Sequence, residues 1–169
     1  MTPDRMRQLV PKILKVTGKI PLEFHGHCNN GFGPVNLLEA AKGGISIVHT
    51  AIPPLANGSS HPSIFSAVRN LRALGFGCEI DEEVLRPVEE HFTDIARREN
   101  LAIGMPAEFD QSLYQHQVPG GMISNMRYQL KLIGMEHRMA EALEESGRVR
   151  AEFGYPIMEI GRASCRERV

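Results

Sequence analysis

Residues 20–31, IPLEFHGHCNNG, run from a short apolar stretch straight into two histidines and a Gly-closed turn. Side chains two apart on an extended chain point the same way. His25 and His27 are therefore expected to present both imidazoles on one side of a strand's carboxyl end, with Cys28 facing the other way. Around this stretch, helix and strand signals alternate. Residues 3–16 carry Met6, Leu9, Val10, Ile13 and Leu14 at helical spacing, opened by Thr2 as N-cap and Pro3 in the first turn and ended by Gly18. Residues 34–42 read as a second helix closed by Gly43-Gly44, residues 45–52 as a second strand, 53–63 as a Pro/Gly/Ser loop and 64–74 as a third helix. Such an order implies parallel strands covered by helices. A barrel and an open sheet both satisfy it.

Beyond Cys78 the pattern turns helical. Asp81-Glu82-Glu83 opens a helix expected to reach about Asn100, and residues 122–132 and 135–145 read as two more, joined at Gly134. Between them lies a Pro/Gly loop region that includes Val118-Pro119-Gly120-Gly121. The expected organisation is residues 1–76 as one α/β part, 77–159 as a helical part, and 160–169, IGRASCRERV, as a non-native tail without apolar periodicity.

Bulk composition narrows the function classes. The chain has 169 residues, 42% hydrophobic and 23% charged, with 6% aromatics and no Trp, so its core rests on aliphatic side chains and Met. A net charge of -1 gives no basic face for nucleic acid. The 3 cysteines are scattered, which suits a reducing, cytoplasmic setting better than a disulfide-stapled one. No apolar run approaches the roughly 20 residues of a membrane span, so no membrane insertion is expected.

Three stretches could carry chemistry. At His25 and His27, two readings stand level: a shared metal ion, or two hydrogen-bonded imidazoles at a strand end. The loop Asn57-Gly58-Ser59-Ser60-His61-Pro62-Ser63 offers hydroxyls at the same rim. Ser59 could exchange a proton with a substrate or could serve only the loop, and Ser63 reads as a helix cap. Tyr114-Gln115-His116-Gln117-Val118-Pro119-Gly120-Gly121-Met122 contains a tight Pro-Gly-Gly turn, where His116 reads as a loop residue rather than a base. His49, His91 and His137 read as packing or surface residues. No phosphate-binding loop, dinucleotide fingerprint or nucleophile elbow is present in the sequence.

Taken together, His25-Gly26-His27 with Gly31, residues 57–63, Gly104-Met105-Pro106, His116-Gln117-Val118-Pro119-Gly120-Gly121-Met122-Ile123-Ser124-Asn125 and Gly154-Tyr155-Pro156-Ile157-Met158 resemble the biotin-dependent carboxyltransferase family. That family includes the pyruvate carboxylase B and transcarboxylase 5S subunits and the oxaloacetate decarboxylase alpha chain. The resemblance implies an enzyme that moves a carboxyl group between carboxybiotin and pyruvate or oxaloacetate through a metal-stabilised enolate. The implied fold is the C-terminal part of a TIM barrel over residues 1–76, followed by the start of a mainly helical carboxylase domain. His25 and His27 match the family's two metal-ligating histidines, for a divalent ion such as Zn, Mn or Co. An Asp, a carbamylated Lys and a keto-acid-orienting Arg would come from upstream segments, so these residues alone are expected to be inactive. Ser59 falls at the position of a proton-carrying Thr, and Asn29 departs from the usual Thr after the histidine pair. The implied partners are a biotin carboxyl carrier domain or subunit and further copies of the full-length chain. The His-x-His pair alone would also suit an aldolase-like lyase of the acyl-CoA lyase type, or an acyl-transferring synthase of the isopropylmalate synthase type. The segment from His116 to Asn125 favours the carboxylase branch.

Overall fold

The computed structural model describes residues 1–109, 111, 114, 118 and 120–156. By compactness the chain divides into one unit at Met1–Phe109 and a second at Asp110–Val169.

In the first unit, α1 spans Pro3–Thr17. The Thr2 side chain accepts from the Arg5 amide at 3.3 Å, and the Gly18 amide closes on the Leu14 carbonyl at 3.0 Å. The buried face of α1, Met6 and Val10, packs with Ala40 against Leu14, Phe24 and Ile45. The strand β1 (Glu23–Phe24) leads to α2 (Gly33–Lys42), β2 (Ile47–Val48) and α3 (Ile64–Ala73). The two strands are parallel, with Glu23 opposite Ile47 and Phe24 opposite Val48. A second core group, Leu37, Ala41, Ala67 and Leu71, gathers Phe24, Leu38, Val48 and Phe76. Phe24 thus belongs to both groups. Its burial sets which side of β1 is inside. The buried Glu39 carboxylate ties α1 to α2 by ion pairs to Arg7 at 2.8 Å and Lys42 at 3.0 Å.

The ladder is shorter than the expected strands over residues 20–24 and 45–52. Pro21 has no amide to donate, and beyond Phe24 and Val48 the two chains bond the loop of residues 53–63 instead of each other. His49 still donates to Phe24 at 2.9 Å, but Cys28 then donates to the Ser60 carbonyl at 2.9 Å and Ala51 to Pro62 at 3.0 Å. Ala51 and Ser63 form an isolated parallel bridge. The loop is thereby stitched across the carboxyl ends of both strands.

The helix α4 (Glu82–Arg98) begins as expected, with Asp81 accepting from the Glu83 amide at 3.0 Å. The expected boundary after residue 76 is not where compactness divides the chain. After α4 the backbone returns to the strand ends: the Gly104 amide donates to the Pro54 carbonyl at 2.8 Å, and Phe109 stacks on Phe32 with centroids 4.6 Å apart.

The second unit holds α5 (Gly120–Leu132), a 3-10 turn (Glu136–Arg138) and α6 (Met139–Glu152). Gly134 joins them with φ 71°, as its position suggests. Two expectations are corrected here. Gly120 and Gly121 open α5 rather than forming a loop, and the last helix runs to Glu152, well past the expected end at 145. Among the described residues no helix is long and apolar enough to cross a membrane.

Gly104 is where the returning chain comes nearest to the loop. A Cβ there would lie 1.9 Å from the Ala56 carbonyl oxygen and 3.1 Å from that of Pro54. Since both obstacles are backbone, Gly104→Ala must displace the loop. We expect a loss of about 1–3 kcal/mol, read as a lower denaturation midpoint by circular dichroism. An unchanged midpoint would mean that the loop yields freely.

Candidate metal centre

With Phe24 turned into the core, the strand period sends Glu23, His25 and His27 to the opposite side. His25 and His27 follow directly after the last paired residue of β1, at its carboxyl end, with their Nε2 atoms 3.3 Å apart. The parallel register brings a further ring alongside. Phe24 pairs with Val48, so His49 follows β2 as His25 follows β1. Their Nδ1 atoms are 2.9 Å apart, and His49 Nε2 is 3.0 Å from Glu23 Oε2. His49 is therefore part of a polar chain at this rim, not the plain packing or surface residue expected.

The stitched loop adds the rest. Asn57 and Gly58 both take positive φ, 72° and 54°, a pairing that Asn-Gly readily adopts and most residues resist. The turn closes with the Asn57 amide on the His61 carbonyl at 2.7 Å and the Ser60 amide on the Asn57 carbonyl at 2.9 Å. It lays the Ser59 carbonyl against His27 Nδ1 at 2.6 Å, and His61 Nδ1 against the Gly26 carbonyl at 2.9 Å. One nitrogen from each of His25, His27 and His61 lies within 4.8 Å of the others. Ser59 itself is exposed at the rim. Ser63 stands at the N-cap of α3, but its side chain makes no cap hydrogen bond.

These acceptors assign the protons of the neutral rings. Carbonyl oxygens only accept, so His27 and His61 each donate from Nδ1 and keep a lone pair on Nε2. A Glu23 carboxylate likewise only accepts, so His49 donates to it from Nε2, and His49 Nδ1 and His25 Nδ1 share one hydrogen bond. His27 and His61, bonded to carbonyls through Nδ1, each leave Nε2 to accept. His25 is held below the ordinary imidazole range, first by burial of its charged form and then by repulsion from His61, His27 and His49. That keeps it in the neutral form that a cation requires. Three neutral imidazoles with their other nitrogens anchored are a fitting donor set for a divalent transition metal.

Sequence reasoning finds His25, His27 and the loop that holds Ser59. It misses His61, Glu23 and His49 as members of the site. A signal for the last two is present: Glu23-Phe24-His25 and Ile47-Val48-His49 place a histidine after the same inward-facing position of two neighbouring strands. Nothing local marks His61, whose place depends on the turn. His91 and His137 are exposed on α4 and the 3-10 turn. His116, Gln117, Pro119, Ile157, Met158 and residues 160–169 lie outside the described residues.

Cys28 alternates away from the histidines and is only 2% exposed. Burial pushes its thiol up to about 11. Thiolate is the reactive form, so we expect iodoacetamide at pH 7.5 to modify the half-exposed Cys78 well before Cys28 in the folded protein, as mapped by mass spectrometry of tryptic peptides. Faster labelling at Cys28 would contradict its placement.

Comparison with known proteins bears on this site. Residues 113–158 match the family described as a conserved carboxylase domain. The chain is 34% identical over 157 residues to the B-type subunit of pyruvate carboxylase from Methanothermobacter thermautotrophicus, covering 92% of this chain and 28% of that protein. It is 33% identical over 138 residues to the methylmalonyl-CoA carboxyltransferase 5S subunit of Propionibacterium freudenreichii subsp. shermanii, covering 82% of this chain and 27% of that one. The carboxyl transferase domain of Rhizobium etli pyruvate carboxylase, solved with pyruvate, shares its fold with TM-score 0.85 at 21% identity, over 97% of this chain and 28% of that one. The chain thus spans little more than a quarter of the length of these relatives.

Proposed function

From the premise that this chain belongs to the biotin-dependent carboxyltransferase family of the pyruvate carboxylase B and transcarboxylase 5S subunits, we propose that it serves a carboxyltransferase reaction in a longer protein. The substrates proposed are a carboxyl group carried on biotin by another domain or subunit and a 2-oxo acid, pyruvate in one direction and oxaloacetate in the other. The observation that carries the reading is the meeting of His25 and His27, Nε2 to Nε2 at 3.3 Å, at a strand end in a chain with these relatives.

In this reading β1 and β2 are late strands of a TIM barrel and residues 77–159 begin the carboxylase domain. Support comes from the parallel β1–α2–β2 order and from the shared fold of the Rhizobium etli domain. Sites in such barrels lie at the carboxyl ends of the strands, which is where the histidines project. Residues 160–169 are taken as a tail without a role, and the holoenzyme as a cytoplasmic homo-oligomer. Relatives named for carboxyl transfer favour this activity over the acyl-CoA lyase or synthase alternative.

A divalent ion, Zn, Mn or Co, would supply Lewis-acid stabilisation for negative charge developing on the 2-oxo acid. His25 and His27 would hold it. Glu23 and His49 orient the His25 ring through the hydrogen-bonded chain at its Nδ1, as partners behind a metal ligand commonly do. Ser59, exposed beside His27, is the proposed hydroxyl that carries a proton to and from the carbon that gains or loses the carboxyl group. The 169 residues alone are expected to show no turnover.

In the full-length protein, His25→Ala and His27→Ala should each remove the bound metal, measured by elemental analysis, and lower pyruvate-dependent decarboxylation of carboxybiotin by about 100-fold or more. Metal content equal to wild type in both would end the metal-centre reading. Ser59→Ala should keep the metal and lower turnover by about 100-fold. Wild-type turnover would remove Ser59 from the chemistry and leave the rest standing.

A further inference from the structure

We infer that His61 is a third metal ligand, so that His25, His27 and His61 together form a three-imidazole site for a divalent transition-metal ion such as zinc or cobalt. The inference deepens the reading above and rests on it for His25 and His27.

Four observations carry it. First, His61 is anchored to the strand that bears the other two rings. Its Nδ1 donates to the carbonyl of Gly26, the residue between them, at 2.9 Å. This bond leaves Nε2 with a free lone pair. Second, the ring sits over the pair, its centroid 4.4 Å from that of His25 and 4.8 Å from that of His27, against 6.0 Å from His49. Of the two other histidines at this rim, His61 is therefore the one that joins them. His49 has both nitrogens committed, to His25 and to Glu23.

Third, the Nε2 atoms of His25 and His27 stand 3.3 Å apart, a spacing at which two imidazoles can share one cation. With arms of about 2.0–2.1 Å, the edge of a tetrahedral nitrogen site is about 3.3–3.4 Å. The His25–His27 pair already has that spacing. Fourth, ring nitrogens of all three residues fall within 4.8 Å of one another.

The chemistry of the donors selects the ligand. Imidazole nitrogens suit zinc, cobalt, nickel and copper, whereas magnesium and calcium prefer oxygen. The three neutral rings bring no negative charge of their own, and the remaining positions stay open for ligands from upstream segments, water or substrate.

The test uses the full-length protein stripped with chelator and reloaded with cobalt or zinc. Extended X-ray absorption of the cobalt-loaded wild type should count three or more imidazoles. His61→Gln should remove one of them, shift the visible cobalt bands and weaken zinc binding in chelator competition by about tenfold or more. The metal-free variant should melt with the metal-free wild type, which separates ligand loss from misfolding. If His61→Gln leaves the imidazole count, spectrum and affinity unchanged while His25→Ala loses the metal, the third ligand is overturned and the His25–His27 reading survives. If none of these variants alters metal binding, both readings fall. Should His61→Gln not fold, a wild-type count of only two imidazoles overturns the inference by itself.

Discussion

The parallel pairing of Phe24 with Val48 is the constraint on which the rest depends. Both side chains pack into the group built on Leu37, Ala41, Ala67 and Leu71, and Phe24 also contacts the group under α1. Both are partly buried, so each contributes part of the roughly 1.5–3 kcal/mol that full burial of a large apolar side chain supplies. A slip of one residue in either strand would expose such a group and turn every neighbour to the other face. Hydrophobic packing therefore fixes the phase of β1 and β2. That phase alone decides that Glu23, His25, His27 and His49 meet on the far side. The polar site contributes little to holding the strands, but the strands determine which of their own residues enter it.

Clustered imidazoles have a cost that this arrangement meets in a particular way. Protonated rings at these separations repel, which is one cause of the lowered His25 value. Kept neutral, the rings need a donor or acceptor at each nitrogen. On Nδ1 of His25, His27 and His61 the protein provides one: the Nδ1 of His49, the Ser59 carbonyl and the Gly26 carbonyl, respectively. On the Nε2 side His25 and His27 meet each other at 3.3 Å. Partners behind the rings and imidazole nitrogens brought together in front are what a cation site needs, since a positive charge satisfies several such nitrogens at once.

How far the sequence discloses this depends on the range of the interaction. Helix caps are local, so Thr2, Gly18 and Asp81 are legible where they stand. The projection of His25 and His27 follows from strand period, equally local. The membership of His49 requires the register between two strands about 24 residues apart in sequence, which periodicity suggests but does not fix. His61 requires the positive-φ turn at Asn57 and Gly58 and its attachment to Cys28 and Gly26. Apolar pattern carries none of that. The strands read too long from sequence because apolar β-branched residues mark burial, whereas a ladder also needs partner amides, and here those partners belong to the loop.

The same reasoning explains why compactness divides the chain after Phe109. A change from alternating to helical pattern at Cys78 marks a change in element type, while compactness groups residues by what they pack against. Residues 101–109 hold the loop from outside through Gly104 on Pro54, and reach the start of α2 through the Phe32–Phe109 ring contact. The loop in turn holds His27 and His61 from above. A segment with no regular secondary structure thus supports the ligands through the loop, by the Gly104–Pro54 bond on one side and the Ser59 carbonyl on His27 on the other. Metal-centre geometry is consequently sensitive to residues that touch neither metal nor substrate, and Gly104 is the position at which that dependence is tightest.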